Sequence, residues 1–316
     1  MTILDNLTIR PFGDDDAAAV DRMLRDRWGH DPTMLAVYRI HRAWPSHMPF
    51  IRQTLLATWK ETVCGAGTIF ESALHPQLPM LAINVASEWQ RRGIGAALYT
   101  ALAARGDGRP LLVKATRRDP AGQAFLYRRN FRPRISTLIG VLDPRQPAVQ
   151  QWMHQLPYDV PGYTFRPLDD PERPTSLITA ARVHAAVYRR FHAWNPPIAE
   201  SDEQALDHYC GPSVLNGSHL CVYTGTTLIG AANLFRDPAR PDAAEGYLVH
   251  IGVVQKHQAD ADELTAALIR RSLEWATHHG LNVRFEADDT YQPHRAIFET
   301  APAHEVDREF VLMTNE

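Results

Sequence analysis

Lysine is nearly missing from this chain of 316 residues: only Lys60, Lys114 and Lys256 occur, and arginine supplies the other 30 of 33 basic side chains. That bias fits a GC-rich bacterial genome and bears on source more than on chemistry. Cysteine is just as scarce. Cys64, Cys210 and Cys221 are odd in number and have no C-x-x-C spacing, which excludes a disulfide framework and suits a reducing cytoplasm. No apolar run approaches ~18 residues, so no membrane-spanning helix is expected. The opening MTILDNLTIRPFGDDD is acidic and polar, unlike a signal or transit peptide. G-x-S-x-G, P-loop and H-E-x-x-H patterns are missing too, which removes the commonest hydrolase, nucleotide and zinc signatures, and no metal is expected.

What remains is an ordinary globular balance, 45% apolar and 22% charged, in a chain about two domains long. LTIRPF (7–12) alternates like a first strand, and DDDAAAVDRMLRDRW supplies a helix after it. TLLATWKETVCGAGTIFES (54–72) reads as two strands about a Lys60-Glu61 turn, and PMLAINVAS (79–87) as a strand running into a glycine turn. A helix over 94–105, the strand LLVKAT (111–116), a short helix over 123–131 and the strand RISTLIGVL (134–142) complete a mixed α/β domain. A Pro/Gln-rich stretch over 143–162 then reads as a linker.

Beyond it the pattern restarts. Phe165-Arg166-Pro167-Leu168 echoes Ile9-Arg10-Pro11-Phe12, and LCVYTGTTLIGAANLF (220–235) is again two strands about a turn. GYLVHIGVV (246–254) is a strand before a helix, and NVRFEA (282–287) matches LLVKAT. The chain reads as a duplication, with domains over 1–145 and 163–316 and a linker over 146–162.

The net charge of −3 hides an asymmetry. Residues 91–134 carry ten arginines and Lys114 against Asp107 and Asp119, a local balance of +9. Within that block lies EWQRRGIGAALYTALAARG (88–106), where a strand enters a glycine turn that opens a helix. The first N–H groups of a helix lack internal partners, the helix dipole adds positive potential, and glycine lets backbone close on an anion. Arg91 and Arg92 add charge-assisted contacts. A dinucleotide turn fits poorly: position 98 would need Gly or Ala and is Leu98, and LLVKAT ends on no acidic residue. A nucleic-acid surface fits poorly as well, because the basic block lacks interleaved aromatics.

Gln90-Arg91-Arg92-Gly93-Ile94-Gly95 resembles the Q/R-x-x-G-x-G/A signature of the GNAT superfamily of acyl-CoA-dependent N-acyltransferases, and residues ~5–142 follow its strand and helix order. The resemblance implies acetyl-CoA as co-substrate, with Gln90, Arg91, Arg92, Gly93, Ile94, Gly95 and Ala96 among its binding residues and its pyrophosphate on the backbone amides from Arg91 to Ala96. Pantetheine would lie along Ile83 and Val85, where that strand splays from LLVKAT, and an N–H near Val85 or Ala86 would hold the oxyanion. A primary amine, on a small molecule or peptide, would attack directly in a protein that is monomeric or homodimeric. The family's last motif, aligned on Asn130-Phe131, puts Asp119 at its Asn position and Leu126, not Tyr127, at its Tyr position. Tyr127 is the candidate acid and Glu71 the candidate base. His41 and His47 stand in a segment, 31–50, that could line the acceptor side, while His184 and His192, eight apart, read as core or surface histidines.

In the second half, VVQKHQADADELTAALIRR (253–271) keeps neither glycine and sets Asp260, Asp262 and Glu263 where phosphates would bind. Residues 255–300 carry five basic and eight acidic side chains. This half is expected not to bind CoA in the family's way and to serve a structural role, a tandem layout with unequal halves similar to that of mycothiol synthases. The alternative to an enzyme is an acyl-CoA-binding sensor or scaffold.

Overall fold

A computed structural model of the chain describes residues 6–29, 50–72, 74–171, 175–236, 243–254 and 259–314. It divides into two units, Met1–Arg134 with Phe310–Glu316, and Ile135–Glu309.

In the first unit the described elements are β1 (Leu7–Pro11), α1 (Ala17–Trp28), β2 (Phe50–Trp59), β3 (Thr62–Ser72), β4 (Met80–Val85), α2 (Ile94–Ala103), β5 (Leu112–Thr116) and α3 (Pro120–Tyr127). β1 through β4 pair antiparallel in chain order. Lys60 and Glu61 both take positive φ, 45° and 68°, the backbone twist that a tight hairpin turn requires. Successive residues of β2 face opposite sides of the sheet. Leu55 and Ala57 join the core under α2, whereas Leu56 joins Val20, Met23 and Leu24 of α1.

The seat of α2 is cut by two glycines. Ile94, Leu98 and Leu102 recur every four residues, so they form one apolar stripe, and all three are fully buried. A Cβ at Gly65 would stand 3.1 Å from both Ile94 Cγ2 and Leu98 Cδ1, and one at Gly67 only 2.6 Å from Leu102 Cδ1. The strand carries glycine because the helix lies directly on its backbone.

The first unit is finished by the far end of the chain. β13 (His304–Thr314) sends Leu312 into the same core, where it is fully buried. The Leu111 N–H donates to the Thr314 hydroxyl at 2.9 Å, and the Thr314 N–H donates to the Leu111 carbonyl at 3.1 Å.

The second unit contains most of β6 (Phe131–Leu142), then α4 (Pro147–Met153), β7 (Thr164–Pro167), α5 (Leu177–Phe191), α6 (Asp202–Cys210), β8 (Leu220–Thr224) and β9 (Thr227–Ala232). There follow β10 (Glu245–Leu248), β11 (Ile251–Val253), α7 (Ala261–His278), β12 (Asn282–Asp288) and α8 (Gln292–Glu299). One sheet runs β11-β9-β8-β7, antiparallel throughout. β10 pairs parallel with β12, and β12 pairs antiparallel with β6 from Val283↔Leu142 to Asp288↔Thr137.

Three expectations are corrected here. The first domain was read as ending at residue 145, yet from Ile135 onward β6 belongs to the second unit, where Leu138 and Leu142 join its core. The stretch read as a linker holds α4, whose Val149, Trp152 and Met153 are core residues of that unit. GYLVHIGVV was read as one strand and is two, with a break at Val249-His250 that sends β10 and β11 to different partners.

Candidate functional site

β4 and β5 run parallel but share only one registered pair, Met80↔Leu112. Past it they part, and the gap is a cleft of about 330 Å³, within the size range of small-ligand sites. Leu81, Ile83 and Val85 line one wall, Val113, Lys114 and Ala115 the other, and Phe125 and Leu126 of α3 close the side.

Ladder alternation says which backbone groups face this cleft. The Ala86 N–H donates to the Cys64 carbonyl at 3.1 Å, so the neighbouring pair Val85↔Gly65 is not hydrogen-bonded and Val85 turns its N–H and C=O away from β3, toward the cleft. Ile83, opposite Gly67, does the same. Of the two amides considered as an oxyanion donor, Val85 is therefore directed at the cleft and Ala86 is committed to the sheet.

The glycine turn stands at the cleft's open end. Arg91 and Gly93 take left-handed backbone, φ 62° and 86°, and Gly93 caps α2 with its carbonyl accepting from the Ala96 and Ala97 N–H groups at 3.0 Å each. The Ala96 amide is thus spent within the turn. Among the described residues, the N–H groups of Arg91, Arg92, Gly93, Ile94 and Gly95 meet no acceptor. Consecutive amides in such a conformation form an anion-binding concavity at a helix N-terminus.

Of the residues singled out in the sequence, Ile83, Val85, Gln90, Arg91, Gly93, Gly95, Ala96 and Asp119 line the cleft. Ile94 is packed into the core, and the Arg92 guanidinium lies 5.3 Å from the Trp89 ring centroid. Gln90 donates to the Val85 carbonyl at 3.2 Å. Asp119 caps α3 by accepting from the Gly122 N–H at 3.0 Å, a structural task rather than an open ligand position.

Glu71 and Tyr127 are not brought to the cleft. Glu71 ion-pairs with Arg109 beside Phe70↔Met80, the closed end of the split, and is absent from the cleft wall. Tyr127 is 37% exposed, whereas Leu126 is buried and lines the cleft. One residue on a helix is about 100° of rotation, enough to separate them.

Arg27 was missed by sequence reading. It donates from Nη1 to the Val85 carbonyl at 3.2 Å and from Nη2 to Asp119 at 3.0 Å, joining the end of β4 to the N-cap of α3. Its place in α1, far from the motif, gave no local signal. Arg129 was also missed: its guanidinium lies 3.7 Å from the Phe125 ring centroid, and burial pushes its pKa down. Residues 31–49, with His41 and His47, and residues 255–258 of the second turn lie outside the described residues.

No family model matches this sequence, and no curated protein matches it. Solved structures do. Over 98% of its length the chain is similar to a GCN5-related N-acetyltransferase from Sphaerobacter thermophilus, at 15% identity, 95% coverage of that chain and a TM-score of 0.61. It is similar over 98% of both chains to a tandem GNAT protein from the clavulanic acid biosynthesis pathway, at 16% identity and a TM-score of 0.59. The fold is the tandem GNAT fold. In a GNAT-like first unit, the split β4 and β5 and the turn into α2 are the features the sequence motif announced. No described helix is long and apolar enough to cross a membrane.

Proposed function

We propose that the first unit binds an acyl-CoA, with acetyl-CoA as the expected donor, and transfers the acyl group to a primary amine. The reading rests on one observation: an elongated cleft between parted parallel strands, with five unengaged amides at its mouth. The pyrophosphate is assigned to the amides of residues 91–95, and the pantetheine to the edge presented by Ile83 and Val85. The amine nitrogen attacks the thioester carbonyl, the Val85 N–H stabilises the oxyanion, and the C–S bond breaks as the amide forms. The proton leaves the amine for solvent, since neither Glu71 nor Tyr127 reaches the cleft.

Calorimetric titration with acetyl-CoA tests the binding step, run beside Gly95→Glu. A Cβ at Gly95 meets Phe125 at an ordinary 3.4 Å, and a carboxylate suits a helix N-terminus, so the variant should fold. It should bind acetyl-CoA at least about a hundredfold more weakly. Unchanged affinity would remove the turn from the site.

Leu126 in the cleft wall favours a second reading, acyl-CoA binding without transfer, as in a sensor or scaffold. Thiol release from acetyl-CoA in the presence of an amine panel separates the two: release dependent on one amine supports transfer, and tight binding with no release supports the sensor.

A further inference from the structure

In the first unit one side chain stands where the pantetheine arm of a donor would have to run. Val85 presents its carbonyl to the cleft, and that oxygen already accepts from two side chains, Arg27 Nη1 and Gln90 Nε2, at 3.2 Å each. A carbonyl oxygen has two lone pairs, so an incoming amide N–H must displace one of these donors. Gln90 follows β4 in the chain and contacts the end of its own strand. Arg27 reaches further: its Nη2 donates to Asp119 Oδ2 at 3.0 Å, so the guanidinium fills the space between the end of β4 and the N-cap of α3. Arg27, Val85 and Asp119 all line the cleft.

The bridge is firm, yet it can open without leaving its partners stranded. Hydrogen bonds from a guanidinium are charge-assisted, and shielding from water strengthens them. The Arg27 guanidinium carbon lies 4.4 Å from the Trp28 ring centroid, and Trp28 Nε1 donates to Asn84 Oδ1 at 3.0 Å. The guanidinium therefore rests on a ring that is itself pinned to β4. It stands at the end of a long, rotatable side chain, so it can leave the gap while α1 and the sheet stay in place. Asp119 then keeps the Gly122 N–H on its Oδ1, and a ligand amide takes the vacated position on Val85.

We propose that Arg27 is a latch on the acyl-donor cleft: its bridge from Val85 to Asp119 holds the mouth shut, and a pantetheine thioester binds only when it swings out. The proposal rests on the assignment of pantetheine to the edge presented by Ile83 and Val85. A latched protein binds with its intrinsic affinity multiplied by the open fraction, so an open fraction of about a tenth weakens binding about tenfold. Calorimetric titration of acetyl-CoA into the full chain, as wild type, Arg27→Met and Arg27→Lys, is the test. Arg27→Met should bind about tenfold more tightly, although it should unfold at lower urea. Removing a cation can only weaken the electrostatic hold on the phosphates of CoA, so such a gain has no electrostatic source. Arg27→Lys keeps the charge and most of the stem, but its compact ammonium cannot bridge both acceptors. It should gain affinity in the same direction, and it serves if Arg27→Met lacks a native spectrum. Binding by the variants and not by the wild type would support a latch that is closed almost throughout. Equal or weaker binding by Arg27→Met, or by Arg27→Lys where only that variant folds, would overturn the latch and leave the cleft assigned to CoA. Absence of binding by all three proteins would overturn that assignment, and the latch with it.

Discussion

A single guanidinium bridges the mouth of the first cleft, and its removal has a calculable cost. Arg27 and Asp119 keep only 14% and 9% of their side-chain surface exposed, so either one left alone is a poorly solvated charge. Arg27→Met should destabilise the protein by about 2 kcal/mol, whereas Asp119→Asn keeps a capping oxygen and loses less. Urea unfolding of both single variants and the double variant should give a cost below the sum, the signature of a coupled pair. The histidines of the second unit set a pH dependence of definite sign. Burial pushes His219 down to about 4 and His294 to about 3, and lowers His184 and His250 in the same direction. Between those values and the unfolded value of about 6.5, the unfolded chain binds more protons, so stability falls as pH drops through that window. Each such histidine contributes up to about 1.4 kcal/mol per pH unit. Urea midpoints should therefore be lower near pH 5 than near pH 7, and His294→Phe should flatten the slope.

At the scale of elements, the position of α2 governs the anion turn, because the turn is its first residues. Gly67→Ala would place a methyl 2.6 Å from Leu102 Cδ1 and 3.1 Å from the Ala82 carbonyl, a clash with backbone on one side. The helix must lift or the side chain must leave its rotamer, at a cost of about 1–3 kcal/mol. A thermal melt should show the loss, and acetyl-CoA affinity should drop although residue 67 is outside the cleft wall. The same helix explains why so much of the first unit was legible in the sequence. Ile94, Leu98 and Leu102 show helical spacing, Lys60-Glu61 interrupts a strand alternation, and Gly93 stands where the backbone takes positive φ. Glu71 and Tyr127 were not legible, because a strand-end carboxylate and a helical tyrosine have no sequence mark for direction. Arg109 and a 100° rotation decide their orientation.

For the whole molecule, the duplication could be read from echoed segments, but the division of strands could not. Both RISTLIGVL and the final FVLMT are short, largely apolar runs, and such a pattern is satisfied by either unit. Leu312 decides the matter for the chain's end, buried beside Leu98 and Leu102 in the first unit's core. Leu312→Ala should cost about 2–5 kcal/mol. A fragment of residues 1–134 should be less cooperative in urea than the same fragment joined through a short linker to residues 310–316. Equal unfolding curves would show the last strand to be dispensable. The arrangement also gives the protein a timetable. Ribosomes add about 5–20 residues per second, so on the order of ten seconds or more separate the emergence of Arg134 from that of Phe310. Through that interval the nascent first unit has its cleft walls and its glycine turn but lacks the strand that closes its core. Translation must pass Leu312 before the core beneath the glycine turn is complete, and any shorter nascent chain carries an unfinished one.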